Sequence, residues 1–215
     1  MGTSPPTLLL IAGHAGVGKS TIADAFARTL AWPVCDKDRM CGPLASAMAR
    51  ILTGDPDDRH SSSYRTQVQP YEYECLLATA WANLSAGLST IGDAPFTQQL
   101  HDPGWLDGLR DAAASRGAQC TVVWARCGAD VQHARIAGRG ARRDTWKLAH
   151  WGEYRRTLPS AWAPPGVDYV IDTTLNTRMS LQRRAQRLAE SVGGLAGPAA
   201  GSPCAALRVA AVEAS

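Results

Sequence analysis

The sequence predicts an α/β domain in which five strands form a parallel sheet with helices on both faces. Short apolar runs alternate along the chain with stretches of helical periodicity. A glycine-rich loop joins the first apolar run directly to the first helix. The composition, 45% hydrophobic and 19% charged over 215 residues, suits one domain with a core of its own.

Thr7–Ala12 reads as a strand apolar on both faces, as parallel sheets require. It runs into the loop Gly13–Ser20 and then a helix that begins near Lys19 and reaches Leu30, its periodicity carried by Ile22, Ala25, Phe26 and Leu30. A brief strand at Trp32–Cys35 ends in Asp36-Lys-Asp-Arg39. The spacing predicts a helix from Arg39 to about Leu52, closed by the turn Thr53–Asp58. Tyr64–Leu84 is a further helical stretch, bent or started late at Pro70. Ser89–Asp93 is the third strand, ended by Ala94-Pro95, and a loop and helix fill Thr97–Arg116. Gln119–Arg126, β-branched and apolar, is the clearest strand of all. A basic helical region, Asp130–Arg156, follows; Val167–Asp172 is the fifth strand and Met179–Val192 a last amphipathic helix. The domain is expected to span 1–192, and Gly, Ala, Ser and Pro from Gly193 onward predict a loosely held tail at 193–215.

Composition also excludes. The cysteines at 35, 41, 75, 120, 127 and 204 form no CxxC pair, which argues against a zinc site and a disulfide framework and for reduced thiols in a cytoplasmic protein. No apolar run approaches the ~20 residues that span a bilayer. The greasy stretch Leu8–Ala12 has no basic residue before it, and Pro6 stands where lipidation at Gly2 would want Ser or Thr, so neither leader nor anchor is expected. Net charge is +3, divided as −3 over residues 1–125 and +6 over residues 126–215. A basic second half suits a grip on something anionic.

Gly13-His14-Ala15-Gly16-Val17-Gly18-Lys19-Ser20 matches GxxxxGK[ST] in full. Its glycines allow successive N–H groups to turn inward around phosphate oxygens, and the helix that opens at Lys19, Ser20 and Thr21 adds its positive dipole end. Lys19 supplies charge at the β- and γ-phosphates and the Ser20 hydroxyl a ligand for Mg²⁺. Strand, loop and helix agree, so the segment is assigned as the site of a nucleoside triphosphate.

By this loop and its element order the chain resembles the small P-loop kinases: nucleoside and nucleotide kinases, shikimate and gluconate kinases, chloramphenicol phosphotransferase and the polynucleotide kinase domain. The likeness covers roughly Thr7 to Val192. It implies ATP and Mg²⁺ as cofactors, a substrate-binding helical region after the second strand, and an arginine-bearing lid at about 128–160.

Asp36-Lys-Asp38-Arg39 falls at the strand edge that faces the ligand crevice of an open α/β sheet. Phosphoryl transfer to an alcohol needs a carboxylate that orients the hydroxyl and takes its proton. The Asp-x-Asp pattern resembles that of shikimate kinase, and the stretch also resembles Asp-Asp-x-Arg of the polynucleotide kinases. Asp38 is the expected acceptor-binding residue and base, Asp36 a metal-shell residue or the base itself, and Arg39 a partner for an anionic group on the acceptor. Asp38 as N-cap of the following helix is the alternative reading. Asp93, after Ile91-Gly92, resembles a shortened Walker B carboxylate for Mg²⁺, with a turn before Pro95 as its alternative.

Arg135-Ile-Ala-Gly-Arg139-Gly-Ala-Arg142-Arg143 follows the fourth strand. On one helix these four arginines share a face, where they would converge on a transferring phosphoryl group; a solvated basic face is the alternative. Arg135-Ile-x-Gly-Arg139 is similar to the start of the adenylate kinase lid. That implies Arg135 near the base and Arg139 on phosphate, with Arg142 or Arg143 as a second phosphate-binding arginine. Trp146, Trp151, Tyr154 and Trp162 are read as the lid's own small core rather than a platform for nucleobases. Asp172-Thr173-Thr174 lies where related kinases hold the adenine.

The leading expectation is a kinase that phosphorylates a small-molecule alcohol such as a nucleoside, sugar or antibiotic. A polynucleotide 5′-kinase and a non-catalytic nucleotide-dependent regulator are the alternatives.

Overall fold

In the computed structural model the described residues are 5–158 and 163–175, with 179, 180, 183, 184, 186, 187 and 190. The central strand β1 (Thr7–Ala12) is buried along its whole length. Its side chains alternate between two cores, as the strand period of two demands. Leu8 and Leu10 meet Leu76, Leu106 and Trp124 on one face of the sheet. Leu9 and Ile11 meet Ile22 and Phe26 on the other. Burial of each such leucine stabilises the fold by roughly 2 kcal/mol, before the entropy of ordering it.

Four further strands, β2 (Val34–Asp36), β3 (Thr90–Asp93), β4 (Gln119–Arg126) and β5 (Tyr169–Asp172), complete a parallel sheet of order β2-β3-β1-β4-β5. The register places Ile11 beside Asp93 and Asp93 beside Asp36. The carboxyl ends of β1, β3 and β2 therefore finish level, at one edge. Gly92 has a packing reason: a Cβ there would lie 2.8 Å from Leu10 Cδ2 and 3.3 Å from a Leu76 methyl. Gly92→Val is expected to destabilise the fold by about 1–3 kcal/mol through overpacking, read as a fall in thermal midpoint.

The helices are α1 (Lys19–Leu30), α2 (Lys37–Thr53), α3 (Ser62–Gln67), α4 (Gln69–Ser85), α5 (Pro103–Ala114), α6 (Ala129–Arg139), α7 (Thr145–Ala149) and α8 (Trp151–Thr157). Two expectations are corrected, and the break expected at Pro70 is found. The helix after β2 begins at Lys37 rather than Arg39, and its N-cap is Asp36, not Asp38. The stretch Tyr64–Leu84 is two helices: Val68 leaves helical geometry (φ −123°), because Pro70 is tolerated only in a first turn, so α4 starts afresh. The basic region Asp130–Arg156 is not one helix. α6 stops at Gly140, whose φ of +62° is a left-handed cap, and a 3₁₀ turn at Arg142–Asp144 leads into α7 and α8.

The last helix and Trp162 lie wholly or partly outside the described residues, as does the tail. The described positions between 179 and 190 are helical. No helix among the described residues is long and apolar enough to cross a membrane. Five cysteines among them are free thiols.

Candidate active site

The phosphate loop is held open from outside. Gly13 N–H donates to Pro95 O at 3.0 Å. The Ala15 carbonyl accepts from Gln132 Nε2 of α6 at 2.7 Å, and the Val17 carbonyl accepts from the buried Thr173 hydroxyl at 2.7 Å. Gly13, Gly16 and Gly18 all have left-handed φ, and at the first two a side chain would also collide with its surroundings. Gly13 has φ +139°, and a Cβ there would stand 2.3 Å from the Ala125 carbonyl oxygen. Gly16 has φ +78°, and a Cβ would stand 2.7 Å from Ile136 Cγ1. The loop thus packs directly against the strand floor and α6.

At the start of α1 no side chain caps the helix, Gly18 being the N-cap. The first N–H groups of Lys19, Ser20 and Thr21 carry the dipole's positive end toward the loop. Lys19 Nζ donates to His14 O at 3.0 Å. Burial lowers the Lys19 pKa while the Asp93 and Asp38 carboxylates oppose that shift. His14 sets its ring edge-on to Trp124, with centroids 5.4 Å apart. Burial, then the Lys19 charge, lower its pKa to about 4, so the imidazole is neutral near pH 7.

Asp93 is buried at the end of β3. Burial raises its pKa against the pull of Lys19 and of the Ser20 hydroxyl that donates to it. A hydroxyl and a carboxylate so paired are hard oxygen donors of the kind Mg²⁺ takes, and that ion usually keeps several waters besides. No group of three or more His, Cys, Asp or Glu among the described residues makes a protein-only metal cage.

Asp36 is committed to its helix. Its Oδ1 accepts from Asp38 N–H at 2.9 Å and Arg39 N–H at 3.0 Å, while Oδ2 pairs with Arg39 Nε at 3.3 Å. The cap falls to Asp36, so the side chain of Asp38, two residues further on, is left to pair with cations. Asp38 Oδ1 meets Lys37 Nζ at 3.1 Å and Oδ2 meets Arg143 at 2.9 Å. Partial burial works to raise its pKa, but Lys37 and Arg143 outweigh that and hold it at about 2.

The four lid arginines do not share a face, because Gly140 ends the helix between them. Arg135 donates to the Thr173 hydroxyl at 2.8 Å and carbonyl at 2.9 Å, beside Gly18, on the side of the loop away from β3. Arg139 pairs with the fully buried Asp144, which also holds Lys147 at 2.7 Å. Arg142 reaches Asp57 at 3.3 Å and Arg143 reaches Asp38. The arginines thus tie the segment after β4 to both rims of the cleft. Trp146 packs between His60 and His150, with centroid separations of 4.8 and 5.0 Å, and Trp151 packs on Tyr154 and His133. Of these rings Tyr154 is buried and Trp146 and Trp151 are half-buried, and Trp146 joins the segment after β4 to His60 before α3.

The sequence reading passed over several residues that build this site. Gln132 had a readable sign, being a polar residue one helical turn before the buried Ile136. Glu72 stands likewise on the buried face of α4 with Leu76, Ala80 and Leu84. Lys37 carried no sign at all.

A family model described as an AAA domain matches residues 8–161. No curated protein is significantly similar. Among solved structures, a Chloroflexus aurantiacus protein assigned as a kinase is 22% identical with TM-score 0.65, over 90% of this chain and 99% of its own. A sugar kinase from Janibacter is 20% identical with TM-score 0.60, over 91% and 100%. An APS kinase of Mycobacterium tuberculosis, crystallised with AMPPNP and APS, is 16% identical with TM-score 0.55, over 89% and 99%. The fold read from strand order is thus the fold these proteins adopt, and, with most of its sheet and lid inside one matched model, the chain belongs to the AAA domain family.

Proposed function

We propose that the protein is an ATP- and Mg²⁺-dependent kinase that transfers the γ-phosphoryl group to a hydroxyl of a small molecule, acting in the cytoplasm. The observation that carries this reading is the level edge of the sheet: Asp93 beside Ser20 and Lys19, with Asp38 on the adjoining helix end. An acceptor at Asp38 would lie next to the terminal phosphate held by residues 13–21.

In this reading the loop N–H groups and Lys19 bind the phosphates, with Arg135 flanking the nucleotide and Arg139, Arg142 or Arg143 reaching phosphate once their present carboxylate partners release them. Ser20 and Asp93 would hold Mg²⁺, which neutralises phosphate charge when bound. Asp38 accepts a hydrogen bond from the acceptor hydroxyl and aims its oxygen at the γ-phosphorus. The new phosphorus–oxygen bond forms as the bond to the ADP oxygen breaks. With its low pKa, Asp38 takes the proton late, when the attacking oxygen has become acidic, and passes it to water. Arg39, exposed at the rim, is placed for an anionic group on the acceptor. We take residues 1–192 as the kinase domain, with about 128–160 as its lid.

The test is incubation of the purified chain with γ-labelled ATP and Mg²⁺ against pooled nucleosides, sugars, aminoglycosides and oligonucleotides. A labelled phosphomonoester of a small alcohol is expected. Label confined to oligonucleotide 5′ ends would replace the acceptor class, and no transfer to any pool would leave only a nucleotide-binding role.

A further inference from the structure

Beneath Asp38 lies a charged cluster that phosphate binding does not use. Lys37 is 7% exposed, Glu72 4% and Tyr64 1%. Lys37 Nζ donates to Glu72 Oε1 at 2.9 Å, and the Tyr64 hydroxyl donates to Glu72 Oε2 at 2.8 Å. Both oxygens of Glu72 are thereby engaged. The same ammonium reaches Asp38 Oδ1 at 3.1 Å and lies over the Tyr73 ring, 5.9 Å from its centroid. The chain runs from the α3 core, through α4, to the first turn of α2.

A buried ion pair is a poor device for stability, since desolvation cancels most of the attraction and apolar residues of similar size do as well or better. What the pair does here is geometric. An unpaired lysine has four rotatable bonds and correspondingly large rotamer freedom. Glu72, itself fixed by Tyr64, removes that freedom before any acceptor arrives. The lysine then holds one oxygen of Asp38 and leaves the other toward the cleft, where Arg143 meets it.

We infer that Lys37 is a positioning residue: clamped by the Tyr64–Glu72 pair, it fixes the Asp38 carboxylate at the cleft edge in one orientation. This rests on the kinase reading for its consequence in catalysis, though not for the contact itself. The groups that face Asp38 are Lys37 and Asp36 on or beside its own helix, Glu72 through Lys37, Tyr64 from α3 and Tyr73 from α4, Arg143 from the segment after β4, Lys19 from α1 and Asp93 from β3.

The test variant is Lys37→Met/Glu72→Gln, which removes both charges together and leaves no buried ion without a partner; Tyr64→Phe serves as a milder second variant. The probe is Mg·ATP, with water as acceptor where no alcohol has been identified. Calorimetric affinity for Mg·ATP is expected to stay within about twofold of wild type, because the phosphate loop is untouched. Turnover is expected to fall about tenfold or more in kcat with KM for ATP unchanged, and about threefold in Tyr64→Phe. Independently of turnover, the ¹³Cγ resonance of Asp38 in aspartate-labelled protein is followed against pH. Loss of the nearest of its three cationic neighbours, Lys37, is expected to raise its midpoint. An unchanged midpoint overturns the inference, as does unchanged kcat in an active enzyme. If the wild type turns over no ATP, the kinase reading fails while the Asp38 resonance still decides whether Lys37 holds it.

Discussion

Asp38→Asn is expected to lower phosphoryl transfer by about 10²- to 10⁴-fold while ATP affinity changes by no more than about twofold. The amide keeps the size of the carboxylate and can still face the cleft, but it cannot take the acceptor's proton. Nor does it hold Lys37 and Arg143 by charge, the two cations that now meet its separate oxygens. Steady-state kinetics beside calorimetry would check both halves. Turnover at the wild-type level would remove Asp38 from the chemistry. The same substitution should alter the pH dependence of stability in a defined direction. Asp38 has a folded-state pKa of about 2 against an ordinary 3.8, so its ionised form contributes stability above that value. The contribution is lost as pH falls from 3.8 towards 2, and the variant should lack this part of the acid slope.

Lys19→Met is expected to weaken Mg·ATP binding and to lower transfer by about 10²- to 10³-fold, since one fixed positive group leaves the developing charge on the phosphoryl oxygens. The cost to the fold should be smaller than for most buried charges. Removing Lys19 leaves Asp93 with less support for its anion, and burial already pushes that carboxyl upward, so it can protonate and remain bonded to Ser20. Calorimetry with ATP would separate the binding loss from the catalytic one, and circular dichroism would confirm that the chain remains folded. Wild-type affinity in this variant would mean that the loop backbone alone carries the triphosphate.

Much of this arrangement was legible in the residue order, and the reason is local. A run such as Thr7–Ala12 has no polar face, so it must be covered on both sides, and a parallel strand is the element that meets this need. β1 and β4 have the very bounds their patterns predict, because β-branched and apolar runs end where polar or glycine residues begin. The loop of residues 13–20 is legible for a similar reason, its glycines serving backbone geometry that no other residue adopts cheaply. Asp36 and Asp93 were also placed correctly at one edge, since strands of a parallel sheet that begin on one side must end on the other.

The arginines after β4 show the limit of that reasoning. Their spacing would align them on an unbroken helix, yet Gly140 turns the chain: Arg139 then meets Asp144 five residues on, while Arg135, Arg142 and Arg143 find partners that long-range packing brings near. The same holds for Tyr64, Glu72 and Lys37, which come from separate helices and meet only because α2, α3 and α4 pack together. Residue order by itself determined the sheet, the phosphate loop and the acidic edge, each being set by short-range periodicity or backbone geometry. Which carboxylates Lys37, Arg142 and Arg143 meet across the fold was decided by the tertiary structure, because a charge acts on whatever lies within a few ångströms, and Glu72, Asp57 and Asp38 reach them from distant parts of the chain.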